Sequence, residues 1–172
     1  KDGDSAQSSD FINLGSAIAF KDDGPSITLT DIAAADALVV DETTLGSNAT
    51  ANLADNFSNA TPSYGADGAG SVTSAYVLSV NTTAATGLVD VASNQAVVLS
   101  VTTGGVVEGR TATGGDLVFT VSVNASGTVE LDQVRAIKHA NPNNNDESIS
   151  LASADQIKLT RTDTITDKDG DS

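Results

Sequence analysis

The side chains in this sequence best placed to do chemistry are carboxylates gathered in turns. Lys1–Ser5 reads KDGDS, and the same five letters return as Lys168–Ser172, an offset of 167 residues. In the fuller second copy, TDKDGDS at 166–172, Asp167, Asp169 and Asp171 alternate along the chain and Gly170 permits a tight fold. Three hard oxygens can then converge on one cation, with carbonyls, water or a neighbouring loop completing a calcium shell of six to eight ligands. The spacing is not that of an EF-hand: the glycine comes two residues early. In KDDGP (21–25), Asp22 and Asp23 repel each other unless something cationic lies between them. Asp41 and Glu42 form a further pair, and Asp67 is alone in GADGAG (65–70). One Asp-Gly-Asp turn is also ordinary loop chemistry. Recurrence at both ends and the adjacent aspartates favour a cation.

Other chemistries find little support. The net charge of -15, with eight Lys and Arg spread along the chain, argues against nucleic acid or an anionic membrane as partner. The single histidine, His139, ends a predicted strand just before an Asn-rich loop, a place for fastening the loop more than for a general base. A nucleophile elbow and a phosphate-cradling glycine loop with a lysine are both absent from the sequence. The paired carboxylates lie in solvated turns beside glycine, and six aromatic residues leave little to stack a sugar. The expectation is a protein that is not an enzyme. Without cysteine, disulfides and thiolate metal sites are excluded, and no apolar run approaches the roughly 20 residues of a membrane helix.

Strands must position these turns. Runs rich in Val, Ile and Thr occur at 26–30, 37–40, 71–80, 96–101, 116–123, 128–138, 148–151 and 156–166. Several alternate with period two, as in Leu117, Phe119, Val121 and Val123 against Val118, Thr120 and Ser122. Turn-forming stretches rich in Gly, Asn and Asp separate them. The pattern predicts an all-β fold, an antiparallel β-sandwich with little helix. Residues 49–57 are the best candidate for a short helix, and 29–40 reads as a loop or a single turn.

The order DDGPSI, VVDETTLG, YGADGAGSV, ELDQVRAIKHAN and TDTITDKDGDS, followed by the start again in KDGDSAQSSDFINLGSAIAFKDDGPSI, resembles the long repeats of giant repeats-in-toxin (RTX) adhesins. Gram-negative bacteria export such adhesins by type I secretion. The resemblance covers nearly the whole chain and implies an immunoglobulin-like extender domain, extracellular at the bacterial cell surface. It implies tandem neighbours of the same kind, Ca2+ near the joints, and a role in cell adhesion and biofilm formation. Carried over onto this sequence, it places metal ligands among Asp2, Asp4, Asp22, Asp23, Asp167, Asp169 and Asp171, with Asp41, Glu42 and Asp67 in second rank. Two features depart from the pattern: glycine-rich nonapeptide repeats are absent, and 46–70 is longer than a plain sandwich needs.

Two functions are therefore open. One is a structural extender stiffened by calcium. The other is a calcium-assisted glycan- or peptide-binding module built on 46–70 and the loop 141–146, disfavoured because aromatic anchors are few. In the extender reading, residues 1–22 are the last strand of a preceding repeat plus an acidic linker, and 23–172 form a sandwich repeat without its own final strand. Residues 6–20 are expected to project and to pair with the edge near 156–166 of another molecule.

Overall fold

The computed structural model describes residues 2–10, 12, 16–28, 33–58, 60–141, 143–144 and 146–172. Nine strands are assigned among them: β1 (Ser26–Thr28), β2 (Ala49–Asn52), β3 (Thr61–Ser63), β4 (Ser71–Val80), β5 (Val97–Val101), β6 (Val107–Thr111), β7 (Leu117–Val123), β8 (Thr128–Gln133) and β9 (Ile157–Thr166). Helix is confined to short 3-10 turns at Glu42–Thr44, Leu53–Asn56 and Gly65–Asp67. The fold is all-β, antiparallel and sandwich-like, with almost no helix.

One layer is a five-stranded sheet in the order β2-β8-β7-β6-β5; the ribbon β4-β9 packs across it, and β1-β3 forms a second small ribbon. Period-two alternation builds the interface between the layers. Val97 and Leu99 of β5, Val107 of β6, Phe119 and Val121 of β7 and Val129 of β8 form one buried cluster with Leu78 of β4, with Val80, Ile157 and Leu159 packed against it. Val118, on the opposite face of β7, is buried as well, and its carbonyl accepts from the amides of Val134 and Arg135, so the chain leaving β8 stays hydrogen-bonded to β7.

The sequence pattern located six of the strands. It missed β6, whose VEGRT carries a central glycine and two charges. The structure supplies the reason for the glycine: the Phe119 ring occupies the space where a Cβ on Gly109 would stand. Residues 37–40 and 148–151 are not strands, and 49–57 divides into an edge strand and a 3-10 turn. The extra length of 46–70 is built into the domain. It supplies β2 as an edge of the large sheet, β3 as partner of β1, and Phe57 against Tyr76 with ring centroids 6.2 Å apart. Among the described residues, 6–10, 12 and 16–20 are exposed and carry no strand. Positions 11 and 13–15 of that expected strand, and 142 and 145 of the Asn-rich loop, lie outside the described residues.

Candidate metal centre

Three separated acidic turns meet at one pole of the sandwich. The first follows β9, where Asp167 turns the chain back on itself. Its amide donates to the Asp171 carbonyl at 3.0 Å, while its Oδ1 accepts from the amides of Gly170 (3.1 Å) and Asp171 (2.9 Å). Asp167 is buried, and its Oδ2 has no hydrogen-bond partner among the described residues. The second turn, 65–70, is pressed against the first. Gly70 lies so close to the carbonyls of Thr166 and Asp167 that a side chain there would collide with them. The third is the DDGP segment (22–25), where Asp23 packs on Gly65 in the same manner. Two glycines thus let three stretches of backbone approach more closely than side chains would allow.

The result is a trio: one carboxylate oxygen each from Asp22, Asp67 and Asp169 lies within 4.8 Å of the others, all three residues being exposed. Their neighbours are acids as well. The Asp22 carboxylate beside Asp171 pushes the Asp171 carboxyl up to about 6, with the charges of Asp169 and Asp167 adding to the effect. Asp169 is raised by hydrogen bonding to Asp167, then by partial loss of solvent and by the charges of Asp167 and Asp67. Asp167 is lowered, first by the same contact with Asp169 and then by the backbone amides it accepts from, against the cost of burial. Of two carboxyls competing for one proton, Asp167 keeps the charge because the amides of its own turn solvate it. No ion pair among the described residues brings a lysine or arginine to Asp22, Asp67, Asp167, Asp169 or Asp171. Oxygen ligands in excess, clustered without a cationic side chain, suit a hard divalent cation.

Of the ten residues named from sequence, the structure brings six to this pole: Asp22, Asp23, Asp67, Asp167, Asp169 and Asp171. Asp2 and Asp4 are exposed in the N-terminal stretch and outside the trio. Asp41 and Glu42 have other occupations. Asp41 caps the first 3-10 turn by accepting from the Thr43 amide at 2.8 Å. Glu42 Oε1 accepts from Gln133 Nε2 at 2.8 Å and from the Ile137 amide at 2.7 Å. Asp67, second rank by sequence, stands in the trio itself, and the glycines around it were the signal. His139 lies between two acids, its Nε2 3.6 Å from Glu42 Oε1 and its Nδ1 4.0 Å from Glu147 Oε2.

A charged site of the opposite kind went unnoticed in the sequence. Asp90 is fully buried and receives Arg135 in a two-pronged contact, Nε and Nη2 each at 2.9 Å, together with the Ser93 hydroxyl and amide. These bonds hold the Asp90 carboxyl far below the usual carboxylate range, the Arg135 hydrogen bond being the largest cause.

The architecture and its acidic pole define a sandwich-like all-β domain with a candidate cation site. Residues 37–172 match the family model described as Domain of unknown function (DUF5801), and the chain belongs to that family. No curated protein and no solved structure matches it.

Proposed function

We propose that this chain is a calcium-stabilised structural extender of a large bacterial surface adhesin, working in tandem with copies of itself and outside the cell. The observation that carries the reading is the trio of Asp22, Asp67 and Asp169, drawn from three segments far apart in sequence onto one point. Such an arrangement costs electrostatic energy in isolation. A divalent cation converts that cost into a clasp joining the linker turn at 22–25, the turn at 65–70 and the turn after β9. The neighbouring Asp167 and Asp171 supply further oxygens of the kind calcium takes. Because Asp22 precedes the domain body and Asp169 follows its last strand, the clasp stiffens the chain where one unit of an array meets the next.

The export route and the adhesive setting rest on the resemblance of the ordered motifs to RTX adhesin repeats. A passive role fits a single histidine engaged with two glutamates. The glycan- or peptide-binding alternative loses its main support, since 46–70 is spent on β2, β3 and the placement of Asp67.

Calorimetry with calcium, magnesium or chelator tests the reading. Calcium is expected to raise the Tm by mass action, and magnesium to raise it less, because it demands stricter geometry and gives up water reluctantly. Identical transitions in calcium and chelator would remove calcium from the account.

A further inference from the structure

The pole opposite the acids carries an apolar groove. β4 and β9 are paired over their whole length, with Ser71 opposite Thr166 at the acidic pole and Val80 opposite Ile157 at the far one. Along this ribbon the two poles stand about 30 Å apart. Residues 81–86, which leave β4 at the far pole, and residues 96–99 at the start of β5 enclose a groove of about 230 Å³. Ala84, Ala85, Ala96, Val98 and Leu99 give it walls of hydrocarbon.

The polar groups in its lining are largely spent inside the chain. Asn81 Nδ2 donates to Asp155 at 2.9 Å, and Asn81 Oδ1 accepts from the amide and the hydroxyl of Thr83. The Thr86 hydroxyl donates to the Val97 carbonyl at 2.6 Å and accepts from the Leu88 amide at 3.2 Å. The groove is smaller than the clefts that hold drug-sized ligands and offers such a ligand few polar groups to orient it. It suits a single apolar side chain.

Phe20 is a side chain of that kind without a place of its own. At 95% it is the most exposed large apolar residue among those described. It cannot reach the groove of its own chain. Asp22, two residues on, lies at the acidic pole with Asp67 and Asp169, and two residues of chain span at most about 7 Å. A Phe20 seated in the groove therefore belongs to another molecule, whose acidic pole then abuts the far pole of the first. The repeated turn is compatible with this stacking. Lys1–Ser5 repeats Lys168–Ser172, and the 15 residues from Ala6 to Phe20 reach up to about 50 Å. That is more than the distance between the poles.

We propose that the groove formed by residues 81–86 and 96–99 receives Phe20 of a second copy of this chain, in a head-to-tail contact that need not close. Seating the ring takes its apolar surface, and that of the half-exposed Val98, out of water. The inference goes beyond the extender reading and uses no cation. A melting transition that calcium leaves unmoved would remove the extender's calcium and leave this contact to be tested on its own.

The test uses the full 172-residue chain with Phe20 replaced by the photo-crosslinking amino acid benzoylphenylalanine, which keeps an aromatic ring at that position. Isotopically heavy and light chains are mixed at high concentration, irradiated and digested, and the adducts are mapped by mass spectrometry. Adducts are expected to join position 20 of one chain to residues 81–86 or 96–99 of another. Val98→Glu and, separately, Thr82→Arg place a charge at the groove on exposed positions. Each should abolish these adducts while the Tm stays that of the parent; two variants on different walls guard against one that misfolds. Heavy–light adducts in the groove, lost with either charge, support the proposal. Adducts confined to one chain, adducts elsewhere on the second chain, adducts that survive both charges, or none at all would overturn it.

Discussion

Asp90 and Asp169 are the same side chain under opposite conditions. Asp90 lies in the interior, where an unpaired charge is expensive, and the protein satisfies it fully: Arg135 in two bonds, Ser93 in two more. Asp169 lies at the surface among Asp22, Asp67, Asp167 and Asp171, and its surroundings drive it toward protonation. Burial forced the first site to bring its own counter-charge. Exposure let the second gather acids with no lysine or arginine paired to them among the described residues. A carboxylate's place in the fold therefore separates structural acids from candidate ligands where composition cannot.

The contrast can be broken most forcefully at Asp90. Asp90→Ala leaves Arg135, among the described residues, with Asp116 as its acidic partner, 3.3 Å from its Nη1. It should cost about 3 kcal/mol, toward the lower end for breaking a buried pair because Arg135 keeps some exposure. The midpoint of urea unfolding measures this, and the calcium response should not change. A loss below about 1 kcal/mol would mean that burial had not made the pair matter.

At the acidic pole the largest effect should come from Asp67→Asn. Calcium at a hundred times its dissociation constant stabilises a folded domain by about 2.7 kcal/mol. The substitution is expected to remove most of that gain while leaving the Tm in chelator unchanged or higher. Retention of the full calcium response would dissolve the trio as a site.

Acidity sharpens the comparison more gently. Asp171, raised to about 6 from its ordinary 3.8, keeps a proton in the folded chain that the unfolded chain has released. Between those values the folded state binds more protons, so lowering the pH stabilises it. Asp90 is shifted the other way, and its contribution persists until the pH falls far below this window. In chelator, the Tm should therefore rise from pH 7 to pH 5, and Asp171→Asn should flatten the trend. A Tm that falls over this range contradicts the assignment.

The smallest expected effect is at His139, with its side chain 30% exposed between Glu42 and Glu147. His139→Gln should cost at most about 1 kcal/mol and leave calcium binding intact. A hydrolytic or transferase activity lost with it would overturn the non-enzyme reading.

Much of this was legible in advance, for reasons that differ by element. The strands β4, β7 and β9 were readable because their own residues carry a β-rich, alternating pattern. β6 was not, because what it needs is a gap for Phe119, a requirement set by another strand. β2 was hidden because its alanines and asparagine say little locally, and it is a strand by virtue of pairing with β8.

The sequence by itself determined that acids would crowd into glycine-bearing turns and that one of those turns recurs. Both are local facts of residue type and order. Only the tertiary structure decided which acids meet. It drew Asp22, Asp67 and Asp169 together across 147 residues of chain, gave Glu42 to the backbone of Ile137, and paired Asp90 with Arg135. Convergence depends on how strands pack and which turns share a pole, and a carboxylate's spacing along the chain carries no record of that.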